Sequence, residues 1–310
     1  MGLVKSSIMF LGTAGDIIVA GKQLRSSGGI VLTLENNQFL LDPGPGCLNN
    51  AAKLNINLRE TIAIFSSNMD ILLSNDVNAV VAAATLNGMD RTGVFIGAKS
   101  VTEGENQEQP VLMPRYKAMM EKVITISPNS KMGINDIDIY STPTKTSDKT
   151  AVGFKFTASN FTVGYTGCTE LTDQLIESMK NCDILIINCK NPADVNEEGQ
   201  MNIADAITLV KAASPRLVIL TYFGKKMIDA NPLAEAREIK SITNVQAIAA
   251  NDGLIIDPTN YALGRGPKRK DDGFERHTDA GIQTDTANTN KAAAEETQTT
   301  FDEPAKDQSE

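Results

Sequence analysis

Short apolar runs separated by glycine, asparagine and proline clusters set the rhythm of this chain. Residues 7–11 form the first run and end in Gly12-Thr13-Ala14-Gly15, a turn-forming cluster, so a strand followed by a loop is predicted. After a polar loop containing Arg25, strands are predicted over 29–34 and 38–41, with Glu35-Asn36-Asn37 as the hairpin turn. Asp42 then stands at the end of a buried strand. Residues 47–54 read as a short helix and 61–65 as the next strand. From 70 to 86 the chain is rich in Ala, Leu and Val and reads as one helix, with Ala82-Ala83-Ala84 permitting close packing. Strands at 94–97, 123–126 and 134–140 follow, interrupted by an exposed polar loop at 102–109 and a helix at 114–122.

The second half repeats the theme. Strands are predicted at 152–157, 161–165, 183–188, 216–221, 245–249 and 254–256, and helices at 171–180, 203–213 and 232–241. Two β-rich halves with outer helices suit an α/β fold arranged as a four-layer αββα sandwich, although linear order alone permits other α/β folds. Past 262 the composition changes. Beyond Leu263, Gly, Thr, Asp, Glu, Lys, Gln and Ala dominate, and Phe274, Ile282 and Phe301 are the only bulky apolar residues. Such a segment cannot bury enough surface to offset its ordering entropy. The expected division is a folded domain over 1–262 and a disordered acidic tail over 263–310.

Composition narrows the chemistry. The 310 residues, 41% of them hydrophobic, suffice for a full core, and it must be mainly aliphatic because Trp is absent. The single histidine is the most restrictive feature, since neutral imidazole nitrogens are common ligands of zinc and iron and this chain offers one. Cys47, Cys168, Cys182 and Cys189 form no Cys-x-x-Cys pair and no secretory signal precedes them, so free thiols and a cytoplasmic location are expected. No apolar run approaches a membrane span. The net charge of −9 argues against a general nucleic-acid binder.

Several segments, in order, carry a resemblance: Leu11-Gly12-Thr13, Gly28-Gly29-Ile30, Leu40-Leu41-Asp42-Pro43-Gly44-Pro45-Gly46, Thr142-Pro143, Gly164-Tyr165-Thr166-Gly167, Leu220-Thr221-Tyr222-Phe223-Gly224 and Asn251-Asp252-Gly253. Together they resemble the frame of the metallo-β-lactamase superfamily. In that family the turn after the strand at 61–65 reads His-x-His-x-Asp-His and supplies metal ligands. The matching positions here are Asn68, Asp70, Leu72 and Leu73. By the same resemblance Thr146 stands where a His follows the Thr-Pro turn, Cys168 where a bridging carboxylate sits, Tyr222 where the last strand delivers its His, and Gln200 where some relatives carry one more.

The resemblance implies a hydrolase frame whose metal-gripping side chains have been replaced. The expectation is a catalytically inactive binding or assembly component with no catalytic residues, no metal and no cofactor. Its vestigial pocket would be formed by Asp42, Asn68, Asp70, Thr146, Cys168 and Tyr222. In the inert reading Asn68 and Tyr222 hydrogen-bond each other and Cys168 is a small buried thiol. In the reactive reading the helix after Cys168 gives it thiolate character. The alternative function is a metal-dependent hydrolase, phosphodiesterase- or nuclease-like, with a non-standard site from Asp42, Asp70 and Cys168 and a hard, weakly bound ion.

Partners follow by analogy: a homodimer, or an active paralogue. In the tail, Gly281-Ile282-Gln283-Thr284-Asp285 and Glu296-Thr297-Gln298-Thr299 look similar to segments that dynein light chain accepts as an added strand, a possible peptide-motif partner. The basic run 265–270 reads as a solvated linker because Asp271 and Asp272 follow it. Met1-Gly2-Leu3-Val4-Lys5-Ser6 formally fits a myristoylation pattern, which is short and matches often by chance.

Overall fold

Alternating apolar strands and capped helices fold into two face-to-face sheets with helices outside each. The computed structural model describes residues 5–105 and 108–262. The acidic tail, its basic run and its Gln-centred segments, and the start of the amino-terminal pattern, lie outside the described residues. In chain order the strands are β1 (Ser7–Phe10), β2 (Ile30–Leu34), β3 (Asn37–Leu41), β4 (Thr61–Ser66), β5 (Val94–Ala98), β6 (Lys122–Ile126), β7 (Lys131–Ile134), β8 (Ile137–Pro143), β9 (Val152–Thr157), β10 (Thr162–Tyr165), β11 (Ile184–Asn191), β12 (Met201–Asn202), β13 (Leu217–Thr221), β14 (Gln246–Ala249) and β15 (Ile255–Ile256). The helices are α1 (Ile17–Gly21), α2 (Cys47–Lys53), α3 (Ile71–Ser74), α4 (Val77–Ala84), α5 (Lys99–Thr102), α6 (Pro114–Lys117), α7 (Asp173–Met179), α8 (Ile203–Ala213), α9 (Lys225–Ala230) and α10 (Pro232–Thr243).

One sheet runs β15-β1-β2-β3-β4-β5-β6 and the other β14-β13-β11-β10-β9-β8-β7, with β12 beside β11. Each sheet is built from an antiparallel meander that passes into parallel strands, at β3–β4 in the first and β10–β11 in the second. Those transitions put the ends of β3, β4, β10, β11 and β13 along one side of the sandwich. Between the sheets lies an apolar layer centred on four phenylalanines. Phe65 meets Phe154 and Phe156 edge-on, each at 5.2 Å between centroids, and Phe39 at 5.8 Å. Alternate residues point outward, so Leu40 and Ile64 pack under α2 and α4 while Leu185 and Ile187 pack under α8. This is the αββα sandwich expected from the sequence. Among the described residues no helix is long and apolar enough to cross a membrane.

Several elements differ from the sequence reading, among them α5, α9 and β12, which it did not predict. Residues 70–86 are two helices, because the backbone N–H of Asp76 leaves the helical ladder to donate to the Pro43 carbonyl at 2.9 Å, and α4 restarts from there. The stretch 134–140 spans a hairpin: Asn135, at φ 51°, turns β7 back into β8. The helix at 114–122 stops at Lys117, and Lys122 already belongs to β6. Within the loop after β1, Asp16 accepts from Val19 N at 2.7 Å and so caps a short helix, α1, which apolar periodicity over five residues is too short to reveal.

Candidate functional site

Asp42 follows β3 in the left-handed region, at φ 50°, a conformation that favours glycine and costs about 1–2 kcal/mol for other residues. Its carboxylate holds it there. Oδ1 accepts from the Ser67 backbone N–H at 2.6 Å, and Oδ2 accepts from Ser67 Oγ at 2.7 Å and from the Tyr165 hydroxyl at 2.6 Å. Ser67 comes from the turn after β4 and Tyr165 from the end of β10, so one carboxylate ties the two sheets together. Burial pushes Asp42 up from 3.8 to about 6, against the three hydrogen bonds, which lower it; the charge of Asp70 raises it further.

The chain of contacts continues across the second sheet. Asn188 on β11 donates from Nδ2 to the Tyr165 oxygen at 3.0 Å and to Cys168 Sγ at 3.7 Å. Tyr222 packs in the same buried cluster as the thiol, and its hydroxyl lowers the Cys168 pKa. Burial and the nearby Asp70 charge push the Cys168 thiol up to about 12, which removes the thiolate at neutral pH and favours the inert reading of this residue. Tyr222, at φ 62°, also lies in the left-handed region, and its phenol is raised well above its ordinary value by burial. Its backbone is pinned from the first half of the chain: Phe223 N donates to Thr13 O and Gly15 N to Phe223 O, both at 2.8 Å. A side chain at Gly15 would overlap the Tyr222 carbonyl, so the glycine of the first turn cluster is required by this approach.

Over this polar chain sits a small apolar plug. Leu72 and Leu73 are buried and pack with Ala14, Val19, Ala20, Cys168 and Tyr222. What remains open is a cavity of about 20 Å³ bordered by Asp42, Leu72, Leu73, Tyr165, Asn188 and Tyr222. That is room for one water, which needs roughly 10–15 Å³.

Of the residues singled out in the sequence, Asp42 and Tyr222 line this cavity, and Cys168 joins them through the hydrogen-bonded chain. Asn68 does not reach Tyr222. Its Oδ1 accepts from Asp70 N at 2.6 Å, closing a local turn, so the expected pairing across the site is corrected. Asp70 caps α3 by accepting from Leu72 N at 2.8 Å. Thr146 is buried against Gly199 and does not border the cavity, and Gln200 beside it has a buried Oε1 without a hydrogen-bond partner. Sequence reasoning missed Ser67 and Tyr165 as partners of Asp42, and Asn188 as the partner of Tyr165, because they sit within or beside apolar strands. It also missed Asp148, whose Oδ2 accepts from Met69 N at 3.1 Å and Ser100 Oγ at 2.6 Å and so clamps the 144–151 loop over the turn after β4.

A catalytic transition metal requires three deprotonated nitrogen, sulfur or oxygen ligands on one point with a position left open. The donors here do not fit it. Both Asp42 oxygens are taken up by hydrogen bonds, Asp70 Oδ1 caps a helix, Cys168 Sγ accepts from Asn188 Nδ2, and two leucines offer no lone pairs. Among the described residues no three His, Cys, Asp or Glu side chains are grouped to hold a metal.

Comparison with known proteins places the fold. Residues 37–223 match the family described as a beta-lactamase superfamily domain. An uncharacterized protein of Methanocaldococcus jannaschii is 30% identical over 259 residues, covering 83% of this chain and 97% of that one. The metallo-beta-lactamase fold protein YhfI from Bacillus subtilis superposes with a TM-score of 0.68 at 19% identity, over 81% of this chain and 98% of that one. Zn(2+)-bound PqqB from Methylobacterium extorquens gives 0.62 at 14% identity, over 81% and 99%. Structural neighbours with this fold are mostly metal-dependent hydrolases.

Proposed function

The chain belongs to the beta-lactamase superfamily, and from that premise we propose that it serves as a binding or assembly component rather than as a metal-dependent hydrolase. One observation carries this reading: the cleft position is occupied by the packed side chains of Leu72, Leu73, Cys168 and Tyr222 above a hydrogen-bonded Asp42. The family's metals generate hydroxide at neutral pH and polarise the bond to be cleaved. This chain's residues at the same place do neither. The carboxylate that remains accepts from three donors, and burial with the nearby Asp70 charge holds the thiol protonated at neutral pH. The alternative site from Asp42, Asp70 and Cys168 is disfavoured because each of the three is already committed to the fold.

Metal analysis of the purified chain and assay of a generic phosphodiester, with and without added manganese, test the reading. The expected result is sub-stoichiometric transition metal and no metal-dependent turnover. A stoichiometric ion together with turnover that Asp42→Asn abolishes overturns it.

A further inference from the structure

The second sheet ends in a bare edge. β13 is buried at each of its five residues, whereas in β14 Gln246 is exposed and Ala247, Ile248 and Ala249 are half-buried. Ala250 N donates to Leu220 O at 2.8 Å, and bonding sides alternate along a strand. Ile248 therefore turns its amide and carbonyl to β13, while Ala247 and Ala249 turn theirs away. Among the described residues no strand stands beyond them. Exposed edges are ordinarily blunted by brevity or by charge. β15 has two residues, and β6 and β7 each open on a lysine. β14 reads Gln-Ala-Ile-Ala, with neither a charge nor a proline. We propose that residues 297–301 of this same chain add to β14 as a further strand.

Where the described chain ends is the first reason for this occupant. Gln246 Nε2 donates to the Tyr261 hydroxyl at 3.2 Å, and Arg216, just ahead of β13, donates to the Ala262 carbonyl at 3.0 Å. The chain past Ala262 thus sets out beside the start of β14, whose four residues span roughly 13 Å at about 3.3 Å each. Residues 263–296 are long enough to return along it, and the cost of closing a loop grows only as the logarithm of its length. Sequence supplies the second reason. Thr297-Gln298-Thr299-Thr300-Phe301 carries no charge, and four of its five residues are β-branched or aromatic, more than in any other uncharged run of five past Ala262. Glu296 and Asp302 bound it with charge, as gatekeepers bound a strand that would otherwise pair at random. In a strand Thr297, Thr299 and Phe301 share one face, which suits Ile248, half-buried at the margin of the layer between the sheets. A second copy fits less well, because the chain past Ala262 leaves each molecule at this same edge and would crowd a symmetric contact.

Amide exchange in the full-length protein, followed residue by residue by NMR, tests this. The reference is the double variant Thr299→Pro/Thr300→Pro, in which a proline falls on the bonding side whichever way the added strand faces. The amides of Ala247, Ala249 and alternate residues within 297–301 are expected to exchange at least about tenfold more slowly in the parent than in that variant. Ala293→Pro/Ala294→Pro, outside the segment, should keep the parent's rates. Equal rates in the parent and the first variant overturn the inference, as does an equal loss of protection in the second. Protection of Ala247 and Ala249 that grows with protein concentration while 297–301 exchange freely also overturns it, and assigns the edge to a second copy.

Discussion

The Tyr165 hydroxyl donates to Asp42 Oδ2 at 2.6 Å, and this bond spans the interior from the end of β10 in one sheet to the loop after β3 in the other. Both groups are buried, and this bond is one of three that the carboxylate accepts. Tyr165→Phe leaves the carboxylate one donor short and Asn188 Nδ2 without its oxygen. A stability loss of about 1–3 kcal/mol is expected, read as a lower urea midpoint at unchanged slope. A variant as stable as the parent rules out the bond as a tie between the sheets.

The same carboxylate makes stability depend on pH in a defined direction. Its folded-state pKa of about 6 lies above the ordinary 3.8, so between those values the folded chain binds more protons than the unfolded one. Stability from this group is therefore fullest below about pH 4 and declines as pH rises through about 6. The shift corresponds to about 3 kcal/mol. Asp42→Asn cannot titrate, so urea denaturation from pH 4 to 7 should show the parent losing stability relative to the variant by that order. Parallel curves for the two proteins contradict the raised pKa.

Much of the fold was legible because strand runs, turn glycines and the change of composition past 262 are local signals. The hairpin turn at Glu35 and Asn36 is an example, with both residues at positive φ as a two-residue turn demands. The break between α3 and α4 was not legible, because it is imposed by the Pro43 carbonyl, some thirty residues away in sequence. Within the site, the sequence pointed to Asp42, Cys168 and Tyr222 by their positions in a familiar frame. It could not show that Tyr165 and Asn188 complete the chain between them, since a tyrosine and an asparagine inside apolar strands look like any buried polar residue. Asn68 illustrates the opposite error. An amide beside a turn more readily serves its own backbone than a partner across a cleft, and here it bonds Asp70 N.

The Asp42-Pro43-Gly44 loop packs so closely on α3 that a methyl at Gly44 would overlap the Leu72 carbonyl oxygen. Backbone cannot yield as a flexible side chain does, so Gly44→Ala must displace α3 and with it Leu72 and Leu73. A loss of about 2 kcal/mol or more is expected in urea denaturation. Leu73→Ala attacks the same plug from the other side by emptying it, at about 2–5 kcal/mol. Agreement of the two in sign, with no gain of phosphodiester hydrolysis in either, is the outcome consistent with a plug that serves packing.

All four cysteines are free and buried. Desolvation pushes Cys168 up to about 12 and Cys182 up to about 11, and it raises Cys47 and Cys189 as well. A thiol reacts as its thiolate, so neither protonation state nor access favours attack in the folded chain. Titration with a chromogenic disulfide at pH 8 should therefore give little fast colour from native protein and four equivalents after denaturation. Tyr222→Phe removes a hydroxyl whose interaction lowers the Cys168 pKa, so the thiol rises further. That variant should label Cys168, identified by peptide mass, no faster than the unaltered protein. Fast labelling of Cys168 in the unaltered protein would mean that the plug opens readily and that the thiol is within reach of solvent.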